Sequence, residues 1–336
     1  MTSTRALSHS DYTVGWICAI PVEMAAAKAM LDEVHEDLPV PSHDPNAYTL
    51  GKVGKHNVVI ACLPSGSYGN TSATAVAIQL LATFSSIRFG LMVGIGGGVP
   101  NKDADIRLGD VVVSNPTGQC GGVVQYDYGK VLSGRFERTG MLNQPPQILL
   151  RALNKLQANH LTEESQIPTL LSEMETKLGH KASTFTRPRQ EDRLFQTDYE
   201  HVKQPRQCEL CDSTKTVPRA AREYNDPIIY YGLIASGNSV VKNSYIRDWL
   251  SRELQVYCLE MEAAGLMDNF PCLVIRGICD YADSHKNKDW QGYAAAVATA
   301  FAKELLLVVS VNSVGSTPTA QDALSDPGTG IYSLLH

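Results

Sequence analysis

Two acidic segments lie where strands are expected to end. Residues 259–265 read LEMEAAG and place Glu262 where a short strand gives way to a helix. Residues 274–283 read VIRGICDYAD and bring Arg276 and Asp280 to the end of an apolar strand. The carboxyl ends of strands form the usual ligand edge of an α/β sheet, so these side chains are expected to face a bound molecule. Carboxyl groups there can stabilise positive charge or donate a proton.

The rest of the chain supplies the elements that must position these residues. Short apolar runs bounded by turn residues predict strands, and helical periodicity between them predicts helices. Strands are predicted at residues 12–20, 57–63, 89–95, 109–114, 228–236, 256–259 and 272–279. Helices are predicted at residues 22–34, 70–84, 244–253 and 290–309, with a further helix from residue 261. This alternation predicts a single α/β domain with a central mixed β-sheet flanked by helices.

Composition suggests where that domain begins and ends. Residues 11–311 are expected to form the domain, with an irregular insertion at about residues 187–225 that is rich in charge and proline. The segments at residues 1–10 and 312–336 are expected to be flexible, the second because of its Gly, Ser, Thr and Pro content.

Charge and cysteine usage exclude several classes of partner. The 336 residues carry a formal net charge of −6, so no overall basic field exists to hold nucleic acid or an anionic membrane. Apolar stretches are broken before they reach bilayer-spanning length. The eight scattered cysteines fit a reducing compartment. We therefore expect a cytoplasmic protein that binds a small molecule and neither nucleic acid nor a membrane.

The order EMEAAG then RGICDYAD resembles the ribose-binding and base-protonating motifs of the nucleoside phosphorylase/nucleosidase superfamily. The similarity runs over residues 12–307, apart from the insertion, and is closest to fungal nucleosidase domains of immune-type proteins. The resemblance implies a phosphorylase/nucleosidase-like fold and glycosidic-bond cleavage without a cofactor. We also expect a homo-oligomer.

The resemblance also implies a role for each motif residue. Glu262 would hold the ribose 2′ and 3′ hydroxyls, Met261 would pack on the sugar, and Asp280 would protonate an imidazole-ring nitrogen of a purine. The base pocket would be formed by Gly96, Gly97, Ser239, Val240 and Val241. Protonation at neutral pH would require a raised pKa for Asp280, which burial can provide.

Hydrolysis is favoured over phosphorolysis by the same resemblance. Phosphorylases of the superfamily carry one arginine after the first strand and another beside the glycine-rich turn. This sequence has Glu23 at the first place and residues 92–95, MVGI, at the second. Glu23 would activate water and Arg276 would help to position it. Two departures are Cys279, where many members have a serine that orients the acid, and Ile95, which replaces a polar residue.

The substrate is expected to be an adenine nucleotide or nucleoside. ATP, cleaved to adenine and ribose 5-triphosphate, is favoured because some fungal domains of this kind resemble immune effectors that hydrolyse ATP. Cations that could meet the phosphates lie at residues 102–107, 130–138 and in the insertion, which includes Arg187, Arg189 and Arg193. The alternatives are a purine nucleoside phosphorylase, a methylthioadenosine or adenosine nucleosidase, and a catalytically silent nucleotide sensor.

The insertion also contains a pair of cysteines with the spacing found in one half of a zinc site. Cys208 and Cys211 have the CxxC spacing of a zinc site, but no second CxxC or HxxxH completes it in the sequence. We interpret them as two free cysteines and expect no metal. The alternative is a zinc site completed through space by His180 or His201.

Overall fold

A ten-stranded mixed sheet lies at the centre of the computed structural model, which describes residues 6–133, 135–202 and 208–325. Its strands are β1 Val14–Cys18, β2 Glu33–Val34, β3 Tyr48–Val53, β4 His56–Cys62, β5 Phe89–Gly98, β6 Val111–Ser114 and β7 Val123–Gln125. A separate hairpin consists of β8 Gly129–Leu132 and β9 Arg135–Arg138. The sheet continues with β10 Ile229–Ser236, β11 Val256–Glu260 and β12 Cys272–Asp280.

The strand order is β11-β10-β6-β12-β5-β1-β4-β3-β2, and β7 pairs with β10. The inner strands β1, β4, β5 and β12 pair in parallel, whereas β6 runs antiparallel to β12 and β3 runs antiparallel to β4. Strands β1 and β12 are buried at every position, as expected for parallel strands covered on both faces. The predicted mixed α/β fold is confirmed.

The end of β5 joins two parts of the sheet that are distant in strand order. Gly97 pairs with Leu259 of β11 on one side and with Asp280 of β12 on the other. A Cβ atom on Gly97 would lie 2.9 Å from the Cβ of Ala282 and 3.0 Å from Oδ1 of Asp280, so a larger residue would not fit without displacement. This close approach brings both acidic segments to one edge of the sheet.

Helices cover the sheet on both faces. Their bounds are α1 Pro21–Met30, α2 Asn70–Thr83, α3 Gln147–His160, α4 Ile167–Leu178, α5 Ser244–Leu254, α6 Ala263–Met267, α7 Gln291–Val308, α8 Val311–Ser316 and α9 Ala320–Ser325. The Ala-rich α7 packs against α1, β5 and β12, and small side chains allow this close approach. On the other face α2 packs against α6. The helix predicted at residues 22–34 ends at Met30, because residues 33–34 add an edge strand.

The insertion folds against the loop that follows β12. It contains short 3₁₀ helices at Cys208–Leu210 and Ser213–Lys215, and the ring of Phe195 stacks on His285 with a centroid separation of 3.9 Å. Arg219 bonds to the Tyr281 hydroxyl at 2.9 Å and pairs with Asp192 at 2.8 Å. The insertion is therefore irregular in backbone but packed in its described part.

The chain beyond residue 311 is ordered in a way that its composition did not indicate. Helices α8 and α9 bury Val314 and Ala320. The amide of Ala320 donates to Ile87 at 2.7 Å, and Arg88 donates to the Thr317 carbonyl at 2.8 Å. Residues 1–5 and 326–336 of the two segments expected to be flexible lie outside the described residues. The domain bounds remain predictions.

Each of the described helices is too short or too polar to cross a bilayer.

Candidate active site

Glu23 lies in the first turn of α1, directly after β1. Pro21 is the first residue of this helix, a position where proline is well tolerated. The Glu23 carboxylate accepts hydrogen bonds from backbone amides at the start of the helix. Its Oε2 accepts from Ala19 at 2.7 Å and from Ile20 at 3.1 Å, and its Oε1 accepts from Ile95 at 2.8 Å. The residue is only 3% exposed. Ile95 thus contributes through its backbone, although its side chain departs from the family pattern.

Arg276 is the cation at the centre of the site. It is fully buried in β12, and its Nη2 donates to Glu260 and lies 3.8 Å from Oε2 of Glu262. Its Nη1 and Nε have no hydrogen-bond partner among the described residues. Because a buried unsatisfied donor is costly, these two groups are available to orient a water molecule or a ligand.

Gly94 allows Glu23 and Arg276 to meet. It pairs with Arg276 across β5 and β12. A Cβ atom on Gly94 would lie 2.4 Å from Nη1 of Arg276 and 2.4 Å from Oε1 of Glu23. The predicted pair of water-directing residues therefore converges on a position that only glycine can occupy.

Glu262 follows β11 and faces the same site. Its Oε1 accepts from the Gly69 amide at 3.2 Å. Burial, reinforced by repulsion from Glu260, raises the pKa of Glu262 to about 7 despite the nearby Arg276. Burial also raises the pKa of Glu23, although Arg276 and three backbone amides oppose that shift. Both carboxyl groups are thus held in an environment that disfavours their charge.

Asp280 ends β12 on the far side of Gly97. Its Oδ1 accepts from the Ala282 amide at 2.9 Å, and its Oδ2 lies 3.1 Å from both Sγ of Cys279 and Nζ of Lys286. Burial keeps the Cys279 thiol protonated by raising its pKa well above the usual range, so the thiol can donate to the carboxylate. Cys279 therefore contacts the acid as a serine would.

Lys286 was not identified from the sequence. Burial alone would lower its pKa, but the attraction of Asp280 outweighs burial and raises it, so the side chain remains an ammonium. Glu260, the main partner of Arg276, was also missed. It lies in the LEMEAAG segment, and two glutamates beside one buried arginine were a signal available in the sequence. Lys286 lies in a loop, where no periodic pattern marks it.

The residues expected to form the base pocket lie in two places, the end of β5 and the loop after β10. Gly96 and Gly97 lie at the end of β5 against β11 and β12. Ser239, Val240 and Val241 lie in the loop after β10, which contacts the Asp280 segment through a 3.0 Å bond from the Asn243 amide to the Ala282 carbonyl. Val240 is 45% exposed. Met261 is partly buried between Glu260 and Glu262. The roles of these residues remain predictions.

The raised pKa of Glu262 predicts a pH-dependent gain in stability for Glu262→Gln. Between its unfolded pKa near 4.5 and about 7, the folded protein holds a proton that the unfolded chain releases, so stability is lost as pH rises through that window. The loss amounts to up to about 3 kcal/mol. In thermal melts, Glu262→Gln should melt several degrees above wild type at pH 8 and close to it at pH 4.

The contrasting variant is Glu260→Gln, which removes the main counter-ion of the buried Arg276. It should lower the melting temperature at both pH values, because the buried Arg276 loses its nearest counter-ion and Glu262, at 3.8 Å, compensates only in part. A Glu262→Gln protein that is destabilised equally at pH 4 and pH 8 would contradict the assignment.

Known proteins resemble this chain in sequence and in fold. Residues 13–310 match the family model of the phosphorylase superfamily, and the chain belongs to that family. A nucleotide-binding leucine-rich repeat (NLR)-like protein of Hyaloscypha variabilis is 50% identical over 306 residues, which cover 91% of this chain and 30% of that protein.

Two further relatives are nucleosidases. A 5′-methylthioadenosine/S-adenosylhomocysteine nucleosidase of Mycobacterium bovis is 26% identical, covering 89% of this chain and 97% of that protein. The ATP nucleosidase Cap17 of Escherichia coli is 23% identical, covering 86% of this chain and 50% of that protein. The chain thus spans under a third of the NLR-like protein and half of Cap17.

Among solved structures, the native futalosine hydrolase of Helicobacter pylori has the same fold. Its TM-score is 0.56 at 16% identity, and the match covers 89% of this chain and 99% of that one. Two of these relatives are thus named as nucleosidases, and the solved structure as a hydrolase.

Proposed function

We propose that this protein hydrolyses the bond between adenine and ribose, with ATP as the favoured substrate. The observation that carries the proposal is the convergence of Glu23 and Arg276 at Gly94, with Glu262 3.8 Å from Arg276. Asp280 ends the same strand as Arg276, opposite Gly97 of β5. A water-activating carboxylate, a sugar-binding carboxylate and an acid at the base are the groups that this reaction needs.

The attacking group in this proposal is a water molecule bound between Glu23 and the free Nη1 of Arg276. Glu23 accepts a proton as the water oxygen bonds to C1′ of the ribose. The breaking C1′–N bond carries its electron pair to the purine through an oxocarbenium-like state, which the carboxylate of Glu262 stabilises while it holds the ribose hydroxyls.

The departing base receives its proton from Asp280 in this proposal. The proton goes to an imidazole-ring nitrogen of the purine, which neutralises the developing anion. Nζ of Lys286 lies 3.1 Å from Oδ2 of Asp280 and helps to hold that oxygen in place. The Ala282 amide holds the other oxygen, so the carboxyl group is oriented before substrate binds.

Water is favoured over phosphate as the nucleophile by the charge of the site. Glu23, Glu260 and Glu262 place three buried carboxyl groups around one arginine. A phosphate dianion would be repelled by ionised carboxylates in a pocket of low dielectric constant. The two arginines that phosphorylases use are replaced by Glu23 and the MVGI segment.

The preference for ATP is supported by a relative and by the insertion. Cap17 is named an ATP nucleosidase. A cavity of about 320 Å³ borders Asp280, and Arg193 lies on its wall. A neighbouring cavity of about 600 Å³ is also lined by Arg193 and by Arg187. Arg187 donates to the Asn225 carbonyl and stacks on Trp290. Arg193 pairs with the exposed Glu191, and within the described part of the chain neither arginine forms an ion pair with a buried carboxylate.

A substrate panel tests the proposal directly. We expect the protein to release adenine from ATP in phosphate-free buffer, with ribose 5-triphosphate as the second product. At low salt, kcat/KM for ATP should exceed that for adenosine by more than about a hundredfold, because two charge-assisted contacts contribute about 3 kcal/mol or more. Chromatography of products from ATP, AMP, adenosine and methylthioadenosine provides the measurement. Equal efficiency on adenosine and ATP would overturn the nucleotide preference and leave the nucleosidase proposal in place.

Replacing Arg187, Arg189 and Arg193 by Ala together should lower ATP turnover more than adenosine turnover. The matched control replaces Arg151, Lys155 and Arg252 by Ala, which removes the same charge from exposed positions on α3 and α5. Added salt should weaken the preference in wild type, since exposed ion pairs are screened.

A further inference from the structure

A cluster of sulfur and imidazole groups lies in the insertion, outside the proposed catalytic site. The donor atoms of His201, Cys208 and Cys211 all lie within 4.8 Å of one another. Tetrahedral zinc, with Zn–S near 2.3 Å and Zn–N near 2.0 Å, holds its ligand atoms about 3.3–3.8 Å apart. The three groups therefore need to move little to share one ion. His180, the other histidine considered from the sequence, is exposed and not part of this cluster.

Unsatisfied imidazole nitrogens point to a missing ligand. Nε2 of His201 is buried and has no hydrogen-bond partner among the described residues. His285 is 7% exposed, and neither of its ring nitrogens has a hydrogen-bond partner in the described part of the chain. Buried polar atoms are nearly always paired, so three unpaired nitrogens on two neighbouring rings require an explanation. A bound cation provides one, because neutral imidazole nitrogen is a preferred zinc ligand.

His285 lies beside His201, although its ring nitrogens are not within 4.8 Å of all three donor atoms, so its ring must shift to become a fourth ligand. Its ring centroid lies 5.4 Å from that of His201, with the ring planes at 72°. Two imidazoles bound to one tetrahedral zinc ion have centroids about 5 Å apart. Oδ1 of Asp283 lies 3.7 Å from Nδ1 of His285, where it can orient the ring, as carboxylates commonly do for metal-bound histidines. The Cys208 thiol lies 3.9 Å from the His285 carbonyl, which places the sulfur beside this segment.

We propose that Cys208, Cys211, His201 and His285 bind one zinc ion that ties the insertion to the loop after β12. Two thiolates and two imidazoles select zinc over magnesium or calcium, which prefer oxygen ligands. Four protein ligands leave no open position, so the ion is structural rather than catalytic. Binding releases the protons of the two thiols, and no electrons are transferred.

The ion would connect two segments that are far apart in sequence. Phe195 and Tyr199 of the insertion stack with His285 at centroid distances of 3.9 and 5.6 Å. The next residue after His285 is Lys286, which contacts Asp280. Zinc would therefore fix the wall of the cavity that borders the proposed acid, and its removal should loosen that wall.

Metal analysis of the purified full chain tests the proposal. We expect elemental mass spectrometry of the purified protein to find about one zinc ion per chain. Cobalt(II) exchanged into the site should give the visible bands of a tetrahedral ion and a thiolate-to-cobalt charge-transfer band. Wild type that holds less than about a tenth of an equivalent of zinc, and gives no cobalt spectrum after reduction, would overturn the proposal. A Cys208–Cys211 disulfide that persists without metal would do the same.

Variants locate the ligands. Cys208→Ser, Cys211→Ser and His201→Ala should each weaken zinc binding at least tenfold in competition with a chromophoric chelator, and Cys120→Ser, which alters a partly buried thiol elsewhere, should not. His285→Ala should weaken binding by a similar factor. Unchanged affinity in that variant would remove His285 from the site, and equal affinity in all five variants would overturn the site itself.

Discussion

Asp280→Asn should lower kcat by about a hundred- to ten-thousand-fold while substrate still binds, because the amide keeps the shape of the carboxyl group but cannot supply a proton. The Ala282 amide can still donate to the Asn oxygen, so the side chain should stay in place. The measurement is single-turnover base release from ATP together with the affinity for substrate.

The matched control for this variant is Asp268→Asn, an exposed carboxylate that accepts from the Asn143 amide. It should have wild-type kinetics. Near wild-type turnover in Asp280→Asn would remove Asp280 from the mechanism. A loss that appears only in substrate affinity would assign it a binding role instead.

Glu23→Gln should lower hydrolysis by a similar factor, about a hundred- to ten-thousand-fold, because a neutral amide cannot accept a proton from water. Affinity for adenine should change little, since Glu23 acts on water. Inorganic phosphate should not accelerate base release by wild type, and no ribose 1-phosphate should appear. If phosphate proves obligatory, the enzyme is a phosphorylase and Glu23 does not activate water.

Folding must be checked in the Glu23 variant. Both carboxylate oxygens of Glu23 accept hydrogen bonds from backbone N–H groups. In the Gln variant, the side-chain NH₂ group would therefore face at least one backbone N–H donor. A modest decrease in melting temperature is expected, because one buried hydrogen bond is lost. Glu33→Gln, at an exposed position in β2, is the control for the change in charge.

The sequence predicted the elements of the fold better than the contacts between them. Alternating apolar strands and helices are local patterns, so β1, β5 and β12 were located correctly. The pairing of β11 with the end of β5 was not predicted, since strand order depends on contacts between distant residues. The family resemblance named Glu23, Arg276 and Asp280. The fold brings Glu23 and Arg276 together at Gly94, and Asp280 ends the same strand as Arg276.

The missed residues share a physical reason. Glu260 and Lys286 matter because each pairs with a buried charge, Arg276 and Asp280 respectively, and charge pairing through space leaves no periodic signal in sequence. The short helices α8 and α9 were missed because Gly, Ser, Thr and Pro favour irregular structure locally. Buried contacts of Val314 and Ala320 outweigh that local preference.

The end of β5 limits how the two acidic segments can move relative to each other. Gly97 pairs with β11, which Glu262 follows, and with β12, which ends at Asp280. Backbone hydrogen bonds within a buried sheet are among the slowest of a protein to open. We therefore expect Glu262 and Asp280 to move together rather than about a hinge. Under the proposed function, substrate entry and product release would then depend on the loops at residues 64–69 and 237–243, and bond cleavage on the rigid sheet.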